Sequence, residues 1–463
     1  MSDNELSTMA HLMRRAGFGA TRAELEQLVS KGYEAVVDDL VNPGRFPELE
    51  EDLIDRYYGG EGYTIFASIW IFRMLNTRRP LEEKMTLFWH HVFATGITKN
   101  QHVVAAVEQI NTFRRLGLSN MREILLSLSK DPAMIFWLDN NENHNGEPNE
   151  NYGRELLELF SMGVGNYTED DVKDASRAFT GWTFTQPSPL YPNGYYPSYF
   201  VYDEKDHDQG EKTFLGRTGN LNGEDIIDVI VSQPATARFI SRHLYNFFVA
   251  DEPQVPSWNT VPPQDPDAIK IMVDAYMDSG GEIRPMLFAL FNSDSFKNAR
   301  FKKIKSPVEL ITGVIKLTGT YTYPVPGMLA YSTAANLMGQ QLYDPPTVEG
   351  WHTGHEWIDG GTLNERVNFA VNEVGDLSKP GIGDIVNRIA DAGETCQPDD
   401  LLTRCMELAG PVEVSEGTRS SLKKYADAAG ELRFDSQSAR ADAALHISRM
   451  IQLIVSTREY QLA

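Results

Sequence analysis

Cysteine is nearly absent, with only Cys396 and Cys405 in 463 residues. Two thiols nine residues apart cannot build a disulfide framework or a four-cysteine metal site, so the chain has to be held by a packed core. Both thiols read as reduced. Long apolar runs are missing too: the best, Ile65 to Phe72, stops at eight residues and contains Ser68, against the ~20 that a membrane span needs. The opening residues hold no unbroken apolar stretch behind a basic start, so no secretory signal is expected and the cytoplasm is the default compartment. Positive charge is the third scarcity. Lys and Arg number 42 against 65 Asp and Glu, a net charge of −23, which repels a nucleic-acid backbone except at a local basic patch. The compact basic runs (Arg14-Arg15, Arg78-Arg79, Arg114-Arg115 and Lys302 to Lys305) are short and read as solvated helix ends or ion pairs. No nucleic-acid partner is expected.

What is present is ordinary globular composition, 41% apolar and 23% charged, in a chain long enough for two or three packed subregions. From Leu6 to about Lys130 the pattern is helical. Thr21 with Glu24 has capping-box spacing, Gly32 stands where a left-handed helix end belongs, and Asn42-Pro43 stops the next helix. Residues 81–94 place Met85, Phe88, Trp89, Val92 and Phe93 at spacings of three and four, a stripe that has to be buried. Between Asp139 and Asn151 the chain turns polar and feeds a helix, and a second helix starts at Thr168 with Asp171 as its box partner. Tyr, Pro and Gly dominate residues 183–222, where Tyr199 to Tyr202 and Lys212 to Leu215 are predicted strands flanking a turn. Helical periodicity then returns, with Ser306 and Pro307 opening one helix, and the last ninety or so residues are helical and acidic. The expected fold is mainly α, with a small hairpin insertion. Four segments are expected: 1–182, 183–222, 223–375 with a Trp/His loop, and 376–463.

HLMRRAGFGAT at 11–21, EKMTLFWHHVFATG at 83–96, PNENYGRELLELFSMGVGNYTEDDV, SRAFTGW, HDQGEKTFLG, KSPVELI and DPPTVEGWHTGHEWI follow one another along the chain. With these motifs in this order, the chain resembles the bacterial family catalogued as domain of unknown function 1800, from His11 to Tyr460. The resemblance implies no agreed reaction. It implies a neighbour, because members are often encoded beside proteins similar to alkaline phosphatases and sulfatases, and it implies export for the many relatives that carry signals. The sequence departs from the family pattern at Val92 and Phe160, where many relatives have histidine, which argues against a metal site built on those two positions.

Several constellations could carry chemistry. Glu150, Arg154 and Glu158 are spaced i,i+4 and read as an ion-pair ladder, whereas Glu155 falls between Tyr152 and Leu159 on the more apolar side, where a carboxylate needs a partner or a raised pKa. Asn149 and Asn151 can cap this helix, and with Arg154 they could also contact a ligand. His90 and His91 point ~100° apart on a helix, so they cannot chelate as an i,i+4 pair; each is either a core histidine or one ligand of a metal, with Glu83 seven residues back able to orient His90. Asp206, His207, Asp208 and Gly210 either make a turn or hold a hard cation and position a general base. His352 and His355 lie in a loop with Trp351 and Trp357, which either anchor the loop or face a ligand.

No Walker loop, GxGxxG, GxSxG, HExxH or CxxC occurs. Carboxylates and histidines without a redox signature favour a hydrolase, with Glu155, His207 and Asp208 as catalytic groups and one divalent metal ion held by His90, His91, Asp206 and Asp208. The alternatives are a non-catalytic helical partner or maturation factor for a phosphatase- or sulfatase-like protein, and a carbohydrate or polymer binder using Tyr191 to Tyr202.

Overall fold

Helix follows helix in the computed structural model, which describes residues 2–50, 52–57, 62–186, 196–319, 323–324 and 327–463. Among the described residues the strands form three two-stranded antiparallel sheets and everything else regular is helical. The predicted starts and stops hold. Thr21 and Glu24, Thr168 and Asp171, and Ser306 and Glu309 all form reciprocal capping boxes, and Gly32 ends the Arg22–Lys31 helix at φ 96°. Each box satisfies backbone N–H groups that the first helical turn leaves without partners.

Residues 183–222 do hold the main departure from helix, but with a different pairing. Tyr199–Tyr202 pairs with Trp182–Thr185, and Lys212–Phe214 pairs with Arg217–Gly219. The two predicted strands therefore belong to separate hairpins and do not close on each other around the Asp206 turn. The reason is local: Leu215 and Gly216 both adopt positive φ and fold the third strand straight back onto the fourth. Tyr191 to Tyr195, part of the aromatic stretch considered for polymer binding, lie outside the described residues.

The apolar stripes join in one cluster of buried side chains that runs from Leu6 to Tyr460. Met85, Phe88, Trp89, Val92 and Phe93 are all in it, as is Phe160, whose ring meets Phe93 edge-on. Val92 and Phe160 are thus both core positions here. A polar hub sits inside this core. Glu309 accepts from Arg15 at 3.0 Å and from Lys84, while Arg15 also donates to the carbonyl of Phe248. That hub ties helices Asp3–Arg15, Pro80–Val92, Pro234–Phe248 and Pro307–Thr318 together. Among the described residues, no helix is long and apolar enough to cross a membrane.

Candidate functional site

Helix Asn151–Glu158 packs on helix Glu169–Ala178, and Gly153 is what allows the approach: a Cβ there would come within 2.4 Å of the Ser176 hydroxyl. With that face closed, Tyr152, Leu156 and Leu157 are buried, and Arg154, Glu155 and Glu158 are left half-buried on the other side. The expected ladder is rearranged. Arg154 pairs with Glu150 at 3.0 Å and with Glu169 at 2.8 Å, while Glu158 instead accepts from the Tyr167 hydroxyl. Glu169 competes for Arg154 because it opens the neighbouring helix only fifteen residues on. Glu150 stands at the N-cap and its side chain makes no cap hydrogen bond; Asn149 Oδ1, one residue earlier, accepts from the N–H of Asn151, the first helical residue, at 3.0 Å.

Glu155 is left with no hydrogen bond or ion pair to its carboxyl among the described residues. Burial, and then the negative charges of Glu158 and Glu349, push its pKa up from 4.5 to about 7. Glu158 and Glu349 line a cleft of about 460 Å³ whose opposite wall comes from helix Pro234–Phe248 and the loop after it: Arg238, Phe239, Arg242 and Trp258. Arg242 holds this wall in place through Glu252, at 2.6 Å, and lies 4.7 Å above the Trp258 ring. Behind the wall His243 packs between Phe239 and Trp258.

The histidines of helix Pro80–Val92 stand on the far side of the Glu349 loop. His90 accepts from the Tyr343 N–H through Nε2, and His91 accepts from the Trp351 N–H through Nδ1 and stacks on the Trp351 ring. Gly350 makes this contact possible, since at φ 93° it lies so close that a Cβ would fall 2.3 Å from the His91 carbonyl oxygen. Burial lowers His90 to about 3, and burial with nearby Lys303 lowers His91 to about 4, so both rings are neutral at physiological pH. His243 is driven down for the same reason, and by the proximity of His91 and Arg242. His90 Nδ1, Trp351 Nε1 and His243 Nε2 are buried with no hydrogen-bond partner among the described residues. The orienting role expected of Glu83 is not seen. Its carboxylate binds Trp70, Arg73 and Arg114, because two guanidiniums outcompete a neutral ring for a buried anion.

The Asp206–Gly210 turn is elsewhere, seated on the C-terminal end of helix Glu169–Ala178. His207 is buried and its Nδ1–H donates to the Thr180 carbonyl at 2.9 Å, which fixes the tautomer. Asp208 accepts from Arg177 at 2.7 Å, and Asp206 from His144 at 2.6 Å. Gly181, at φ 75°, lets the turn close, since a Cβ there would reach within 2.4 Å of the Asp203 carbonyl oxygen. The two carboxylates and His207 Nδ1 are thus engaged in holding the turn down. Among the described residues no group of three or more His, Cys, Asp or Glu could hold a metal ion. The ligand set expected from His90, His91, Asp206 and Asp208 is divided between these two places. In the last loop Trp351 and Trp357 are buried anchors, while His352 is exposed and pairs with Glu356 rather than meeting His355.

The structure therefore brings Glu155, the His91–Trp351 pair and the Glu349 loop into one neighbourhood and leaves the Asp206 turn out of it. Arg242, His243 and Trp258 were not singled out from sequence. A charged Arg242 inside the apolar run of helix Pro234–Phe248 was the available signal, because a buried guanidinium always needs a partner.

Residues 11–462 match the family described as Protein of unknown function (DUF1800), nearly the whole chain, and the protein belongs to that family. No match was found among curated proteins or solved structures.

Proposed function

We propose that the protein is a hydrolase that works by general acid–base catalysis, with Glu155 as the proton donor next to the cleft that its neighbours Glu158 and Glu349 line. The observation that carries this reading is the unpartnered, half-buried carboxyl of Glu155, with its pKa near 7 next to two further carboxylates. A carboxylic acid that keeps its proton near neutral pH can protonate a leaving group, and an adjacent carboxylate can take the proton from an attacking water. Glu158 and Glu349 are the two placed to do so. Trp258 and Phe239 supply apolar surface, and Arg238, Asn166 and Asn259 supply polar handles, in a volume that suits a small organic substrate.

The test is a panel of chromogenic carboxylic esters, glycosides and phosphate esters, assayed with the native protein and Glu155→Gln between pH 5 and 9. The expected result is turnover that falls as pH rises through about 7 and drops by roughly 10²–10⁴ in the variant. Turnover unchanged in Glu155→Gln, or no turnover of any class, overturns the proposal.

A further inference from the structure

We infer that the cavity between helices Asp3–Arg15, Pro307–Thr318 and Pro380–Ala390 is a binding site for an organic anion, one that carries a carboxylate or a phosphate on an apolar body. The cavity has a volume of about 350 Å³, within the range of small-molecule sites. In a protein of net charge −23, six cationic side chains and three acidic ones line it. The Arg14-Arg15 pair and Lys305, which read in sequence as parts of solvated helix ends, are turned inward here.

Three of the cations are already matched. Arg15 holds Glu309 at 3.0 Å, Arg22 holds Glu26 at 2.7 Å, and Arg388 holds Asp384 at 2.9 Å. The other three are not. Arg14 donates to the Gly410 carbonyl, Lys305 to the Tyr460 carbonyl at 2.7 Å, and Lys316 to the Gly19 carbonyl at 3.3 Å, and none of them forms an ion pair among the described residues. Arg14 Nε and Nη2 are buried with no hydrogen-bond partner among the described residues. Removing charges from water without a counter-ion is costly, and a carbonyl dipole returns only part of that cost. Burial accordingly lowers Arg14 to about 10 and pulls Lys305 and Lys316 below the usual lysine range.

The rest of the wall is apolar, with Phe18, Leu317, Ile385 and Val412, which suits a ligand with a hydrocarbon or aromatic body. Two glycines keep the space open. A Cβ on Gly19 (φ 87°) would come no nearer than 4.0 Å, to the Gly313 Cα, and a Cβ on Gly313 would meet nothing within 4 Å. This site is independent of the Glu155 cleft.

The experiment is calorimetric titration of the full chain with octyl phosphate, octanoate, inorganic phosphate and octanol, repeated on Lys316→Met and Gly313→Met. Gly313→Met sends its side chain into the cavity and improves helix propensity, so it blocks the site in a folded protein. One or both octyl anions should bind, inorganic phosphate should bind at least about tenfold more weakly, and octanol should not bind measurably. Lys316→Met should weaken the anion by about tenfold or more, and Gly313→Met should abolish binding. Which octyl anion binds more tightly identifies the head group. The proposal is overturned if neither octyl anion binds, if octanol or inorganic phosphate binds as well as they do, or if both variants bind like the native protein.

Discussion

Replacing Glu155 by Gln should stabilise the protein at pH 8 while removing the proposed proton donor. The carboxyl has an ordinary pKa of 4.5 in the unfolded chain and one of about 7 in the fold. Between those values the folded state binds more protons than the unfolded state, so the group's contribution to stability falls as pH rises through that window. Above pH 7 the fold holds an ionised Glu155 against its preference, an effect of at most about 3 kcal/mol. The side chain is only half-buried, and solvent screening reduces this to roughly 1–2 kcal/mol. Gln keeps the shape and carries no charge. For a chain of this length the gain corresponds to a rise in Tm of roughly 1–2 °C at pH 8, vanishing by pH 4 where both side chains are neutral. Differential scanning fluorimetry of the two proteins across pH 4–8 measures it. A Gln variant that is less stable at pH 8, or whose advantage does not change with pH, would refute the account of Glu155 as a destabilised acid.

Glu309→Gln should behave in the opposite way. It strips Lys84 and Arg15 of their buried counter-charge and is expected to cost about 3–5 kcal/mol, read as a lower midpoint in urea. Gly350→Ala should lose at least about 3 kcal/mol, because the new methyl meets both the His91 carbonyl oxygen and its ring at a backbone angle that disfavours any side chain; a near-native Tm would disprove the close approach. His207→Ala should cost about 1–3 kcal/mol through the lost bond to Thr180 and contact with Tyr202, with the hydrolysis proposed for Glu155 unchanged; a loss of that turnover without a loss of stability would return His207 to the proposed catalytic set.

Much of the fold was legible before any coordinates, and for local reasons. Ser306, Thr168 and Thr21 announce helix starts because a cap involves only four consecutive residues. The stripe from Met85 to Phe93 announces its own burial, because its period is that of one helix. The site was only partly legible. Glu155 stood out because a carboxylate among apolar neighbours on one helix is a local anomaly, and Glu349, whose charge acts on it, did not, because it comes from a segment far along the chain. The Asp206 turn looked like the richer cluster in sequence, yet its groups are spent on Thr180, Arg177 and His144.

Sequence alone determined the helical class, the helix boundaries, the exclusion of disulfide scaffolds and membrane-spanning helices, and the family, since each depends on composition, short-range spacing or ordered motifs. Tertiary structure alone decided which strands pair, that Arg14 and Lys305 face a cavity rather than water, and that Glu155 lies near enough to Glu349 to feel its charge while His207 is held at Thr180. The physical reason is the same in each case. A charge's role depends on what surrounds it in space, and those neighbours come from helices that only packing brings together.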